Sequence, residues 1–523
     1  MSLRLAAFAL ASSLTIGACA SRDATHGPDG VVIPVSPLPA RRRTSQPNDD
    51  EGAPPRAVRP KDPSFPVVTR STLANGLAVA VVPSRALPLV QLRVVLGAGA
   101  NYGGAAVGEI TAELLSEGDR RAVIATIDTD VDFDRTVLRT EVTADHVEDA
   151  LALLAERVRT PRFEAKALKL VEQREEDEAR EKARSDGSWV ATRAAFAALF
   201  DPCAEASLES CAHPYASFER TPSDVAAITL DLVNAFHARF YVPKNTEVIV
   251  VGDVDAGDVT RWVARSFGDW SAPMADAGAP ALSFPAARPS FGPRVIVARR
   301  AKHAASDILV VSRAPPRSSP SFAAARVVTA LLGDVPASRL SRALGGADPL
   351  ARGARAFLVE LAHGEQPLFA YGRTSTAKTG LAVEAILQQL AALTETIPTT
   401  ELELARAFTS GALAMRIGGL GAVADMLVAQ RSLGLADGSL DALRSAARDV
   451  SAEDAMAIAR QMFHRDRALI VVAGDADFIA PILTHFGEVT VVDPVNDFRP
   501  ERTLDADPSA PLEQPAEGAH LTP

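Results

Sequence analysis

The sequence predicts an α+β protein built as two homologous α/β-sandwich domains in tandem, each with a mainly antiparallel sheet and flanking helices. Three observations predict it. A chain of 523 residues is too long for one hydrophobic core. The stretch from Thr221 to Val254 is echoed by the stretch from Val450 to Asp477. In each half, two β-rich runs come before a long apolar-periodic helix.

In the first copy, LANGLAVAVVPSRALPLVQLRVVLGAGA reads as two strands set side by side, with a turn at Asn75-Gly76. The helix GGAAVGEITAELLSEG follows. The copy then reaches TPSDVAAITLDLVNAFHARFYVPKNTEVIVVGDV, in which Thr221 and Asp224 have the spacing of a capping box. That helix runs into a basic turn and a β-branched strand ending at Gly252. The second copy repeats the plan with PRVIVARRAKHAASDILVVSRA, then SFAAARVVTALLGDVPASRL, then a helix capped by Ser451 and Asp454 and a strand ending at Gly474. The period is about 220 residues, far longer than a solenoid repeat. The first domain is expected over 64–275, a Pro/Ala-rich linker over 276–290, the second domain over 291–498 and a disordered tail over 499–523.

The N-terminus reads as an export signal. A basic start to Arg4 and the apolar run LAAFALASSLTIGA make a segment too short to span a bilayer. Ile16, Gly17 and Ala18 before Cys19 resemble a bacterial lipobox, so residues 1–18 would be removed and Cys19 lipidated. A plain signal peptide cleaved nearby is the alternative. Residues 19–63 are rich in Pro and polar side chains, the composition of a tether. Ala20 behind the cysteine fits the outer membrane, facing the periplasm. In an oxidising compartment Cys203 and Cys211 are either a local disulfide or two free thiols.

With a formal charge of −11, the chain has no general affinity for nucleic-acid phosphates. Gly419, Gly421 and Ala424 mimic a dinucleotide fingerprint, but a helix-like stretch stands where that fingerprint needs a strand.

TLANGLAVAVVP, the GAGANYGG loop, HPYASF and FYVPKNTEVIVVGDVD resemble the pitrilysin/insulinase-type zinc peptidases, a likeness that spans roughly residues 65–495. The resemblance implies two stacked α+β domains that often pair with a second such unit around a peptide. It also implies zinc held by an H-x-x-E-H helix. Anchored on Gly118, the matching turn here is Glu109-Ile110-Thr111-Ala112-Glu113. Glu109 and Glu113 stand in the two His positions, and Ala112 stands where the general base belongs. No catalytic residue, zinc ligand or cofactor is therefore assigned. The family's third ligand falls near Glu178, and with Glu109 and Glu113 it would make an oxygen-only cluster suited to a hard cation. The bland alternative is that these carboxylates are solvated or paired with arginines.

Inactive relatives use an Arg and a Tyr of the second domain to grip substrate. Arg352 and Arg355 lie at the corresponding stretch, and Tyr371 on the next apparent strand. The resulting expectation is a non-catalytic lipoprotein, the accessory or peptide-binding half of a complex with an active zinc peptidase or a homo-oligomer. Its rivals are an active peptidase with a non-standard metal site and a structural envelope protein.

Overall fold

The computed structural model describes residues 65–513 apart from 104–105, 117–125, 201–212, 217–219, 274–277, 279–281, 283, 285–293, 347 and 416. Cys19, Cys203, Cys211, the signal segment and the tether lie outside the described residues. Two sheets organise the rest. Valine-rich runs, most of them buried along their length, form β2 (Ala78–Pro83), β3 (Leu89–Leu96), β5 (Thr136–Thr143) and β6 (Thr246–Gly252), flanked by β1 (Thr69–Thr72) and β4 (Asp128–Val131). Their order is β1-β2-β6-β3-β5-β4.

The second sheet contains β7 (Arg294–Arg299), β8 (Ala305–Ala314), β9 (Arg352–Leu358), β10 (Gln366–Ser375), β11 (Leu469–Gly474), β12 (Glu488–Asp493) and β13 (Arg499–Leu504). Its order is β13-β12-β7-β11-β8-β10-β9. Five consecutive strands follow one plan in both sheets, β2-β6-β3-β5-β4 matching β7-β11-β8-β10-β9, and most pairs are antiparallel.

Two sequence expectations need correcting. Asn75-Gly76 closes the β1–β2 hairpin, with Gly76 at φ +92°, while β2 and β3 are kept apart by β6, which is parallel to β2 and antiparallel to β3. Both runs are buried on two faces, and such strands need inner neighbours that their own periodicity cannot name. The tail expected from 499 is in part β13, antiparallel to β12. Its side chains are mostly exposed, so backbone bonds and the pairs Arg299–Glu501 (2.6 Å) and Arg502–Asp477 (2.7 Å) hold it. Pro500 is tolerated there because the strand is an edge.

Helices cover both sheets. In the first copy these are α1 (Val107–Ser116), α2 (Val147–Arg159), α3 (Ala165–Ser185), α4 (Gly187–Leu199), α5 (Pro222–Ala226), α6 (Leu230–Phe240) and α7 (Ala256–Phe267). In the second they are α8 (Phe322–Thr329), α9 (Arg339–Leu344), α10 (Thr379–Glu395), α11 (Thr399–Met415), α12 (Leu420–Ser432), α13 (Ser439–Asp449), α14 (Ala452–Met462) and α15 (Ala476–Leu483). Both predicted capping boxes form, at Thr221/Asp224 and Ser451/Asp454. The dinucleotide-like glycines mark the sharp break between α11 and α12, with Gly419 as the N-cap of α12.

The two copies are not separate bodies. Helix α4 belongs to the first copy by sequence, yet its Trp189 and Phe196 pack with Ile296, Leu309, Phe369 and Val471 of the second sheet. Conversely, α12 lays Val423, Leu427 and Val428 over Val95, Ile249 and Val251 of the first sheet. In each direction an arginine of the receiving copy binds a backbone carbonyl toward the C-terminal end of the lent helix. Arg313 donates to Leu199 O at 2.8 Å, and Arg135 to Val428 O at 3.2 Å. At Leu199, the last residue of α4, the cation meets a carbonyl left free by the helix end.

Candidate functional site

The degenerate turn lies on α1. Val107, Ile110, Leu114 and Leu115 bury one side of this helix in the first core, and Ala112 is buried as well. The helix stands against the glycine loop before it. A Cβ on Gly108 would lie only 2.8 Å from the Gly99 carbonyl, so glycine lets helix and loop come so close. Glu109 and Glu113, one turn apart, are left on a single flank, nearly buried at 13% and 12% exposure.

That flank meets α3. The buried stripe of α3 runs Leu168, Val171, Glu175, Ala179, Ala183. Glu175 is thus a carboxylate in a core position, only 2% exposed. The third acidic residue at the turn is therefore Glu175 rather than Glu178, which points off the stripe and pairs with Lys182 at 3.1 Å. Between Glu109 and Glu175 sits the guanidinium of Arg220, itself buried, with Nη1 on Glu109 and Nη2 on Glu175. Arg174 extends the chain of charges, reaching Glu113 at 2.9 Å and Glu175 at 3.3 Å. Arg220 is delivered by the capping box at the start of α5: Thr221 N donates to Asp224 Oδ2 at 2.8 Å, which fixes the backbone one residue on.

Zinc does not fit these residues. Borderline zinc prefers imidazole or thiolate, and here carboxylates occupy both imidazole positions. One guanidinium already engages both Glu109 and Glu175, and the methyl group of Ala112 cannot accept a proton from water. The bland expectation for the carboxylates, pairing with arginine, is the arrangement found. The sequence reading missed Arg220, which follows Glu113 at long range. It could have found Glu175, because a lone acid on an apolar stripe at 3–4 spacing is visible in the sequence.

The second-copy residues converge differently. Arg355 of β9 faces Tyr371 of β10 in register, and its guanidinium stacks 5.1 Å from the ring. Tyr371 donates its hydroxyl to the buried Asp307 at 2.6 Å; burial and that carboxylate raise its pKa. Arg352 is exposed, opposite Arg373. A third polar group joins the copies: Tyr215 of the HPY turn donates to Asp134 at 3.0 Å and accepts from His363 N at 3.2 Å. Burial, then the nearby Asp132 charge, push Asp134 up to about 6.

Residues 227–408 match the family model described as Peptidase M16 inactive domain. A peptidase M16 inactive domain from Pseudomonas fluorescens superposes with a TM-score of 0.67 at 21% identity, over 78% of this chain and 98% of that one. A protease from Helicobacter pylori gives 0.67 at 19%, over 78% and 100%. The first half of the periplasmic protease PqqL from Escherichia coli gives 0.62 at 16%, over 79% and 93%. No curated protein matches the sequence.

Proposed function

From a chain of the M16, pitrilysin/insulinase-type peptidase fold without the H-x-x-E-H turn of that family, we propose a non-catalytic lipoprotein that forms the accessory or peptide-binding half of a complex with an active zinc peptidase. One observation carries the reading: at the motif turn Ala112 replaces the base, and Glu109 is engaged by Arg220. The residues of this fold superpose on 93% of the first half of PqqL, a protease with a further half, which supports a partner unit. Arg352 and Arg355, exposed beside Tyr371, offer cationic groups to a peptide carboxylate. Cys19 would anchor the chain in the outer membrane on its periplasmic side, through acyl chains and the 19–63 tether.

Purified full-length mature protein, assayed for metal content and for cleavage of unstructured peptides with and without chelator, tests the first part. Stoichiometric zinc with chelator-sensitive turnover overturns it. Crosslinking in the envelope tests the second, with capture of a chain carrying an intact H-x-x-E-H as the supporting result. Capture of neither such a chain nor a peptide would favour a structural envelope role.

A further inference from the structure

We infer that Arg220 is an internal cation that does the mechanical work of a metal ion at the degenerate turn, clamping α1 to α3 by joining Glu109 to Glu175. The three nearly buried acids Glu109, Glu113 and Glu175 come from two helices and are linked through shared arginines. Left alone they repel one another in a region poor in water. A guanidinium is planar, permanently charged and able to bridge two carboxylates, so it holds them at fixed spacing as a divalent ion would. Arg220 reaches both helices at once, and Arg174 closes the remaining gap between Glu113 and Glu175.

The second copy is the internal comparison. Aligning the capping boxes at Thr221 and Ser451 sets Arg220 opposite Val450, which is buried at 6% in the apolar core. The same fold position thus carries an apolar side chain, with no charge, in the second copy. The arginine answers the carboxylates and not a general demand of the architecture. Removing it would leave Glu109 and Glu175 without the cation they share, a deficit of positive charge that an added divalent ion can make good.

The inference shares with the proposed function the premise that the turn holds no catalytic metal, but the two fail separately. Thermal unfolding of the mature protein and of Arg220→Met is followed in EDTA and in manganese, with binding of Mn²⁺ read by electron paramagnetic resonance. Wild type is expected to melt alike in both. Arg220→Met is expected to melt lower in EDTA, to recover toward wild type in manganese, and to bind Mn²⁺ at least tenfold more tightly than wild type. Adding Glu175→Gln should abolish that recovery. Should Arg220→Met not fold, the neutral set Arg220→Met/Glu109→Gln/Glu175→Gln should fold and melt as one unit, and its failure overturns the inference. Unchanged melting of Arg220→Met overturns it too, as does a destabilised variant that manganese neither binds nor rescues. Peptide turnover by wild type would instead sink the non-catalytic reading.

Discussion

Phe196 is the sharpest test of the helix exchange, because it sits in the first copy's sequence and fills the second copy's sheet. Its ring is fully buried and lies 5.3 Å from Phe133 of the first copy and 5.7 Å from Phe369 of the second. Phe196→Ala removes an aromatic that bridges the copies and leaves a cavity that α4, held by Arg313 at its end, cannot fully close. Core Phe→Ala changes cost about 3–5 kcal/mol, so the loss should fall in that range. Urea unfolding read by tryptophan fluorescence and by far-ultraviolet circular dichroism should show one coincident transition moved to lower denaturant. Leu170→Ala on the exposed face of α3 (62% exposed) is the control and should stay within about 0.5 kcal/mol of wild type. A loss below about 1 kcal/mol, or two separate transitions of which only one moves, would refute the idea that the copies share a core.

Other perturbations follow the same logic. Asp134, with its folded pKa raised to about 6, is harder to ionise in the fold than in the unfolded chain, so its cost is absent below about pH 4 and complete above about pH 6. Asp134→Asn, which keeps an acceptor for Tyr215, should therefore gain on wild type as pH rises through that window, by at most about 3 kcal/mol. A gain equal at pH 4 and pH 7 in paired denaturation curves would contradict this. Gly187→Ala should cost more than about 2 kcal/mol, since its Cβ would overlap Asp307 Oδ2 and Arg300 Nη1, as differential scanning calorimetry can measure. Gly411→Ala, exposed inside α11 with open space around its Cβ, should gain about 1 kcal/mol in the same instrument. Cys19→Ser should abolish incorporation of labelled palmitate and release the protein from the membrane fraction.

The repeat was legible because its markers are local. A capping box, an apolar helix and a β-branched strand closing on Gly-Asp are each set by neighbours in sequence, and all appear at both places. The motif turn was legible for the same reason, since residues four apart on a helix must share a flank. What pairs with that flank was not. Arg220 arrives by the return of the chain to α5, and nothing near Glu109 announces it. Counting along the family pattern led to Glu178, whereas the burial stripe of α3 singles out Glu175, so periodicity was the better guide there. Helix α4 showed a similar limit. Trp189, Val190, Phe196 and Leu199 predict that it is buried, but an apolar face does not say whose sheet it will cover.

Site and exchange meet in one element. The middle of α3 carries Arg174 and Glu175 of the charge network, while the carbonyls of Arg184 and Ser185 at its end accept from Arg300 of the second copy, at 3.4 and 2.7 Å. A helix of 21 residues spans about 30 Å and cannot shift at one end without straining the other. The network that holds α1 against α3 therefore also aims α4 at the second sheet, whose core it completes. Loss of Arg220 should then be felt beyond the motif turn, as faster amide exchange in α4. The degenerate motif, in this view, is a structural joint of the whole chain.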